Sequence, residues 1–270
     1  MYRIEQSRDG SHTVYSEEDG SYFHNPNGAV EESMDVYFRR SGLLDALQDQ
    51  EADEPLSVME IGFGTGLNLL LLADMAEKYE VSRPLFFTSV EAFPLCPEHV
   101  RKLNYREFLD YPRLAEAQLE IFSGLHAAQA AGDAAHPVSG TLGPVACQVF
   151  PCTFDAFTRT NAELRAPAFT HVMHDPFAPD VSPELWAPEV FSALKARSGE
   201  TAVLTTYGAS TAARAFMLMG GWLPARAPGA LGKREMTIAA LHARTPVFSG
   251  HKRLNETRLR QRYNAGDFGH

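Results

Sequence analysis

The stretch "VMEIGFGTGLNLLLL", residues 58 to 72, is apolar on both sides of a break in which Gly62, Gly64 and Gly66 take every second position. Residues 56 to 61 suit a strand, whereas residues 67 to 79 are rich in Leu, Ala, Met, Glu and Lys, which favour helix. A strand that ends in glycine and turns at once into a helix brings backbone close to a ligand. It also aims free helix N–H groups at that ligand. The reading of the whole chain depends on which ligand this is.

Outward from the break, the chain alternates. "LFFTSVEAF" (85 to 93) reads as a strand and "PEHVRKLNYREFL" (97 to 109) as a helix opened by proline. Residues 114 to 130 read as a second helix, 131 to 144 as a loop rich in Gly, Ala and Pro, and "VACQVFP" (145 to 151) as a strand. "FTHVMHD" (169 to 175) is a further strand, followed by a helix over about 183 to 196, the strand "TAVLTTY" (201 to 207) and a helix over 211 to 219. "WLPARAP" and "EMTIAALHA", separated by "GALGKR", look like a hairpin. Strands alternating with helices argue an α/β domain, its sheet covered on both faces. Turn-rich residues 1 to 55 suggest a β-rich antiparallel extension packed on a main domain of residues 56 to 243, with residues 244 to 270 as a basic C-terminal tail.

The composition excludes several classes. The N-terminus has no apolar stretch that would serve as a signal peptide, and residues 67 to 72 are far too few to span a bilayer, which needs roughly 20. Cys96, Cys147 and Cys152 cannot all pair and lack metal-ligand spacing, so a cytoplasmic protein with no metal and no membrane is expected. No oligomeric state is assigned. Net charge is −10, which taken whole argues against nucleic acid. Yet residues 1 to 60 hold 14 acidic and 4 basic side chains, while residues 233 to 262 hold 8 basic and 2 acidic. That asymmetry marks either a surface that meets phosphate or a solvated basic tail.

For the glycines, a P-loop is excluded because no G-K-[ST] follows. The spacing G-x-G-x-G lacks the three-residue final step of the dinucleotide fingerprint. Glu60, directly before the first glycine, completes the E-x-G-x-G-x-G form common in methyltransferases that use S-adenosylmethionine (SAM). An acid at the end of the second strand should then take the ribose hydroxyls, and Glu91 stands there, 29 residues after Gly62. A tight turn with no ligand is the plain alternative, and the pair of acids argues against it.

The second informative stretch is "MHDPFAPDVSPELW", 173 to 186. Asp175-Pro176-Phe177 ends a strand at the same sheet edge as the glycines, where ligands of open α/β sheets bind. A carboxylate there accepts hydrogen bonds from an amine, aligns its lone pair and compensates the positive charge that develops on nitrogen. The plain alternative is a turn capped by proline.

These pieces together resemble one family. "DGSHTVYSEEDGSYFHNPNGAVEES", "EIGFGTGLN", "VEAFPL", "DPFAPDVSPELW", "TTYGASTAARAFMLMGGW" and "GALGKREMTIAAL" are similar, in order, to the methyltransferase component of the MnmC/MnmD tRNA-modifying family. The resemblance implies a Rossmann-like class I SAM-dependent methyltransferase fold with a seven-stranded mixed sheet. It implies SAM as cofactor and the anticodon loop of tRNA as partner, with 5-aminomethyl-2-thiouridine converted to 5-methylaminomethyl-2-thiouridine at the wobble position. It puts Tyr22, Glu60, Gly62, Phe63, Gly64, Thr65, Gly66, Asn68 and Glu91 at the cofactor, together with Cys152, where backbone is expected to meet adenine, and Asp175. Asp175 would hold the amine, and Phe177, Lys233 and Arg234 would meet the substrate. Bifunctional members carry an FAD-dependent oxidase domain that has no room here, so a stand-alone methyltransferase is expected. Three other readings stay open: a methyltransferase of a small-molecule or protein amine, a Rossmann-type oxidoreductase, and a non-catalytic binding module.

Overall fold

In the computed structural model, which describes residues 1–160 and 164–269, the glycine break joins strand and helix as the sequence predicts. Three short strands come first: β1 (Tyr2–Gln6), β2 (His12–Ser16) and β3 (Ser21–Tyr22) form an antiparallel sheet of their own. The segment stops being β there. Helix α1 (Ala29–Ser33) runs into a wider π turn (Met34–Arg39), and α2 (Leu43–Gln48) follows.

The main sheet holds β4 (Leu56–Ile61), β5 (Leu85–Val90), β6 (Val138–Leu142), β7 (Val145–Phe150), β8 (Phe169–His174), β9 (Ser198–Thr206), β10 (Leu223–Pro228), β11 (Glu235–Ala240) and β12 (Lys252–Arg253). Their order is β12-β10-β11-β9-β8-β4-β5-β7-β6. Strands β7, β5, β4, β8 and β9 run parallel, and β11, β10, β12 and β6 are antiparallel to their neighbours. The sheet thus has nine strands where seven were expected. The additions lie at the edges. Residues 138–142, within the stretch 131–144 read as loop from its Gly, Ala and Pro content, turn back at Gly143 and pair with β7 along Val138↔Val149 to Leu142↔Val145. At the other edge Arg253 and Lys252 pair with Ala225 and Arg226.

Central β4 is buried at all six positions, as a parallel strand covered on both faces must be. Val58 joins the core under α3 (Leu67–Lys78), with Leu69 and Leu70, while Met59 and Ile61 join the opposite core with Phe191 and Trp222. Two helices are shorter than predicted. Residues 97–109 give only α4 (Pro97–Val100) and a 3-10 turn (Tyr105–Phe108). Between them Asn104 leaves helical geometry to accept from His12 N–H at 2.7 Å and donate to Gly10 O at 2.9 Å, tying this segment to the first hairpin. The helix α5 (Arg113–Ala131) then spans the stretch read as helical, and α6 (Phe154–Arg159) follows β7. Residues 183–196 break at Ala187, held extended before Pro188, so α7 is only Pro188–Ala196.

The C-terminal segment is not a solvated tail. After α8 (Thr211–Met219) and the hairpin, α9 (Glu256–Asn264) is capped by Asn255 and buries Leu259 against Ala215 and Leu218 of α8. No helix among the described residues is long and apolar enough to cross a membrane.

Candidate active site

Parallel strands β4, β5, β8 and β9 release their C-terminal ends toward one edge of the sheet, and a cavity of about 900 Å³ opens there. The turns after β4, β5 and β8 supply Gly62, Gly64, Glu91 and Asp175 to its wall, and α3 supplies Asn68. The N-terminal segment closes another side with Tyr22, Phe23, His24 and Glu32.

At the glycine turn, Gly64 has φ +53°, and its N–H donates to Glu91 Oε2 at 2.9 Å. A Cβ there would come within 3.2 Å of the Phe23 ring. The other Glu91 oxygen accepts from Phe93 N–H at 2.8 Å, so backbone fixes the carboxylate at the cavity wall. Burial raises Glu91 above the usual carboxylate range, and the backbone N–H groups oppose that rise. The Phe93 ring, 73% exposed, stands at the cavity lip.

Not every residue of the loop faces the cavity. Glu60 is 1% exposed and lies behind the turn, where Oε1 accepts from Asn68 Nδ2 at 2.9 Å and Oε2 from Ser89 Oγ at 2.8 Å. Its expected cofactor contact is corrected to a supporting one: alternate strand positions face opposite ways, and the next residue, Ile61, is the one at the wall. Burial holds Glu60 well above the usual carboxylate range. Thr65 and Gly66 are likewise behind the wall. Thr65 Oγ1 is engaged by His24 Nε2 at 2.8 Å and Tyr105 OH at 3.1 Å, and Gly66 O accepts from Gln118 at 2.6 Å. Phe63 reaches the wall, but its ring packs into the core on Phe122.

Asp175 faces the cavity with both carboxylate oxygens engaged. Its Oδ1 accepts from Tyr37 OH at 2.5 Å and its Oδ2 from Asn68 Nδ2 at 3.3 Å. Burial pushes it up to about 8; Glu32 adds to the rise, and Tyr37, Asn68 and Lys233 oppose it. Phe177 lines the wall beside it, edge-on to Phe23 with ring centroids 5.1 Å apart. Tyr207 OH donates to Pro176 O at 2.7 Å, fixing the turn. Lys233 lies 4.7 Å over the Tyr207 ring and 2.7 Å from Glu32 Oε1, so the hairpin turn and α1 meet at the cavity. Arg234 is exposed and off the wall, because neighbouring residues entering a strand point to opposite sides.

Tyr22 lines the wall and donates to Glu5 at 2.8 Å. Cys152 also lines it, and burial raises its thiol. The sequence reading missed Tyr37, Glu32, Phe23 and Tyr207. Tyr37 and Asp175 stand 138 residues apart, and no local pattern links them.

These residues fit SAM. The cavity is at the large end of the roughly 300–1,000 Å³ of small-molecule sites. The turn at Gly64 has positive φ and would crowd a Cβ against the Phe23 ring, Glu91 offers a fixed carboxylate, and Asn68 Oδ1 is buried without a partner among the described residues. Eight lining residues carry carboxylates against one lysine, which suits a sulfonium and an ammonium.

Comparison with known proteins agrees. Residues 154–242 match the model of a family described as S-adenosyl-L-methionine-dependent methyltransferase. The chain is 26% identical over 231 residues to the tRNA 5-methylaminomethyl-2-thiouridine biosynthesis bifunctional protein MnmC of Leptospira interrogans, covering 84% of this chain and 34% of that protein. To the protein of the same name from Burkholderia mallei it is 29% identical over 238 residues, covering 87% of this chain and 35% of that one. The chain therefore spans about a third of the length of these relatives. A crystal structure of MNMC2 from Aquifex aeolicus superposes with a TM-score of 0.68 at 23% identity, covering 97% of this chain and 75% of that one, and it shares the fold. The strand order and the neighbouring structure give the chain the class I methyltransferase fold, residues 154–242 match the SAM-dependent methyltransferase family model, and most of the chain's length is similar to the MnmC proteins.

Proposed function

We propose that this chain transfers a methyl group to the primary amine of 5-aminomethyl-2-thiouridine at the tRNA wobble position, giving the 5-methylaminomethyl form. The observation that carries the reading is Asp175, a carboxylate fixed by two donors at the wall of the cofactor cavity. The names of the relatives support the choice of substrate.

When bound, SAM supplies an electrophilic methyl on a sulfonium. Gly62, Gly64, Glu91 and Asn68 would hold it, and the remaining work falls to the chain. A primary amine near pKa 10 reaches the site as an ammonium, drawn by the acidic wall. It must lose one proton before its lone pair can attack. Passing that proton to an ordinary carboxylate near 4 would cost about 8 kcal/mol, at 1.36 kcal/mol per pH unit. Passing it to Asp175, pushed up to about 8, costs about 3 kcal/mol. Burial thus makes Asp175 an acceptor for the proton as well as for the N–H hydrogen bonds that aim the nitrogen. Once the N–C bond forms, the product nitrogen is cationic again, and the carboxyl group's proton is released to water through the cavity mouth. Phe177, Phe23 and Tyr207 offer apolar faces for a base splayed out of the anticodon loop.

The test is single-turnover transfer of labelled methyl from SAM to tRNA bearing 5-aminomethyl-2-thiouridine, with tRNA lacking the aminomethyl group as control. Label on the first and none on the second is expected. No transfer to either, with SAM bound, would move the substrate to a small-molecule or protein amine.

A further inference from the structure

We propose that Tyr37 is a positioning residue, whose hydroxyl holds the Asp175 carboxylate in the orientation and charge state that receive the amine. Tyr37 is 2% exposed and does not line the cavity, so it acts through Asp175 and not on the substrate. It sits in the π turn Met34–Arg39, a geometry that widens the helix by a residue and is found often at functional sites. Ser41 Oγ donates to Tyr37 O at 2.6 Å and fastens the end of that turn. The phenol then reaches Asp175 Oδ1 at 2.5 Å, closer than Asn68 Nδ2 stands to Oδ2 at 3.3 Å.

The groups facing Asp175 leave this task to Tyr37. Glu32 on α1 is a like charge, but Lys233 on the hairpin turn is committed to it at 2.7 Å, so the two largely offset each other. Glu60 on β4 is a second acid nearby, and burial raises it well above the usual carboxylate range, which disfavours its charged form. Asn68 on α3 divides its amide between Glu60 and Asp175. Tyr207 after β9 spends its hydroxyl on Pro176 O. The Tyr37 hydroxyl is therefore the nearest donor favouring the carboxylate over the carboxylic acid, against a burial that favours the acid. It also fixes Oδ1, so that the remaining lone pairs face the cavity. The inference rests on the reading that Asp175 takes the amine.

The test reads the carboxyl group directly. Protein labelled with carbon-13 at the aspartate carboxyl carbon would be titrated by NMR, and the Asp175→Asn spectrum would identify the resonance. In Tyr37→Phe the Asp175 midpoint should rise by about one to two pH units, the worth of one hydrogen bond to a charged group. Replacing Tyr37 by 3-fluorotyrosine keeps the shape and strengthens the donor, and should lower the midpoint. In transfer assays the ratio of Tyr37→Phe to wild-type kcat should be about 0.1 or less at pH 7 and climb toward one above pH 9, with SAM affinity unchanged. An Asp175 midpoint that is the same in all three proteins would overturn the proposal, as would a rate deficit equal at every pH. If the wild type methylates no aminomethyl-tRNA, the NMR titration still reads the coupling, so the two failures are separable.

Discussion

Replacing Asp175 by Asn is expected to slow methyl transfer and to stabilise the fold, and the two effects have separate assays. Asp175 is pushed up to about 8 from 3.8, chiefly by burial. Between those values the native chain keeps a proton that the unfolded chain has released. Native stability therefore falls as pH rises from about 4 to about 8. From pH 4 to pH 7 the integral is about 4 kcal/mol, at 1.36 kcal/mol per pH unit. The carboxylate edge faces cavity water, and about half of that, or 2 kcal/mol, is the working figure. Asn keeps an acceptor for Tyr37. The variant should match wild type near pH 4.5 and melt about 4–8 °C higher near pH 7.5, by the usual scaling for a chain of this size. Its kcat should fall about 10²-fold or more, the scale of losing one preorganised electrostatic partner. Thermal melts across pH and single-turnover methyl transfer read the two. A melting difference that does not change with pH would refute the burial argument, and a near-wild-type rate would reduce "HDPF" to a turn.

At the cofactor, Gly64→Val should largely abolish SAM binding, because a Cβ comes within 3.2 Å of Phe23 and φ +53° costs a branched residue at least about 1–2 kcal/mol. Calorimetric titration checks it, and unchanged affinity would exclude the turn as the cofactor's seat. Glu91→Ala should weaken SAM by about 1.5–3 kcal/mol in the same assay, since it removes the carboxylate and the tether on Gly64 N–H. Neutralising Arg258, Arg260 and Arg262 together should weaken tRNA and lower the slope of log K against log salt by about 2–3, leaving SAM affinity intact. Equal slopes would put the RNA surface elsewhere.

The parts of the site that were legible in the sequence are those whose chemistry is local. A strand, three glycines and a helix lie within a few residues of one another, and Glu91 and Asp175 each end a strand that its own apolar run announces. What was not legible depends on partners far along the chain. Residues 138–142 carry Gly and Ser and read as loop; they are strand because β7 presents an open edge across the Gly143 turn. Glu60 has the residue type of a ligand contact, yet strand alternation turns it inward to Asn68 and Ser89. Tyr37 gives no signal at all in "DVYF", since its meaning comes from a carboxylate 138 residues later. The basic segment read as a tail is a helix because Leu259, one apolar residue among polar ones, finds Ala215 and Leu218.

The charge layout then sets how a polyanion can approach. The cavity wall carries eight carboxylates and Lys233, and Lys233 is already paired with Glu32. Phosphates are repelled from such a wall, whereas one ammonium on an extended arm is drawn into it. Arg260, in contrast, reaches toward Met219 at the C-terminal end of α8, the end away from the cavity, and Arg262 is tied to Asp267. On the proposed function, RNA backbone and reacting amine are therefore held by different regions of opposite charge. A base still stacked in its loop would carry its phosphates to the acidic wall, so on the same proposal the wobble base would leave the stack and enter alone. Phe93, exposed at that lip, and the Phe23–Phe177 pair inside give a base π-faces in place of those it leaves. On that proposal the acidic wall would select for the extruded base, and the specificity for an amine and the need for base flipping would have one physical cause.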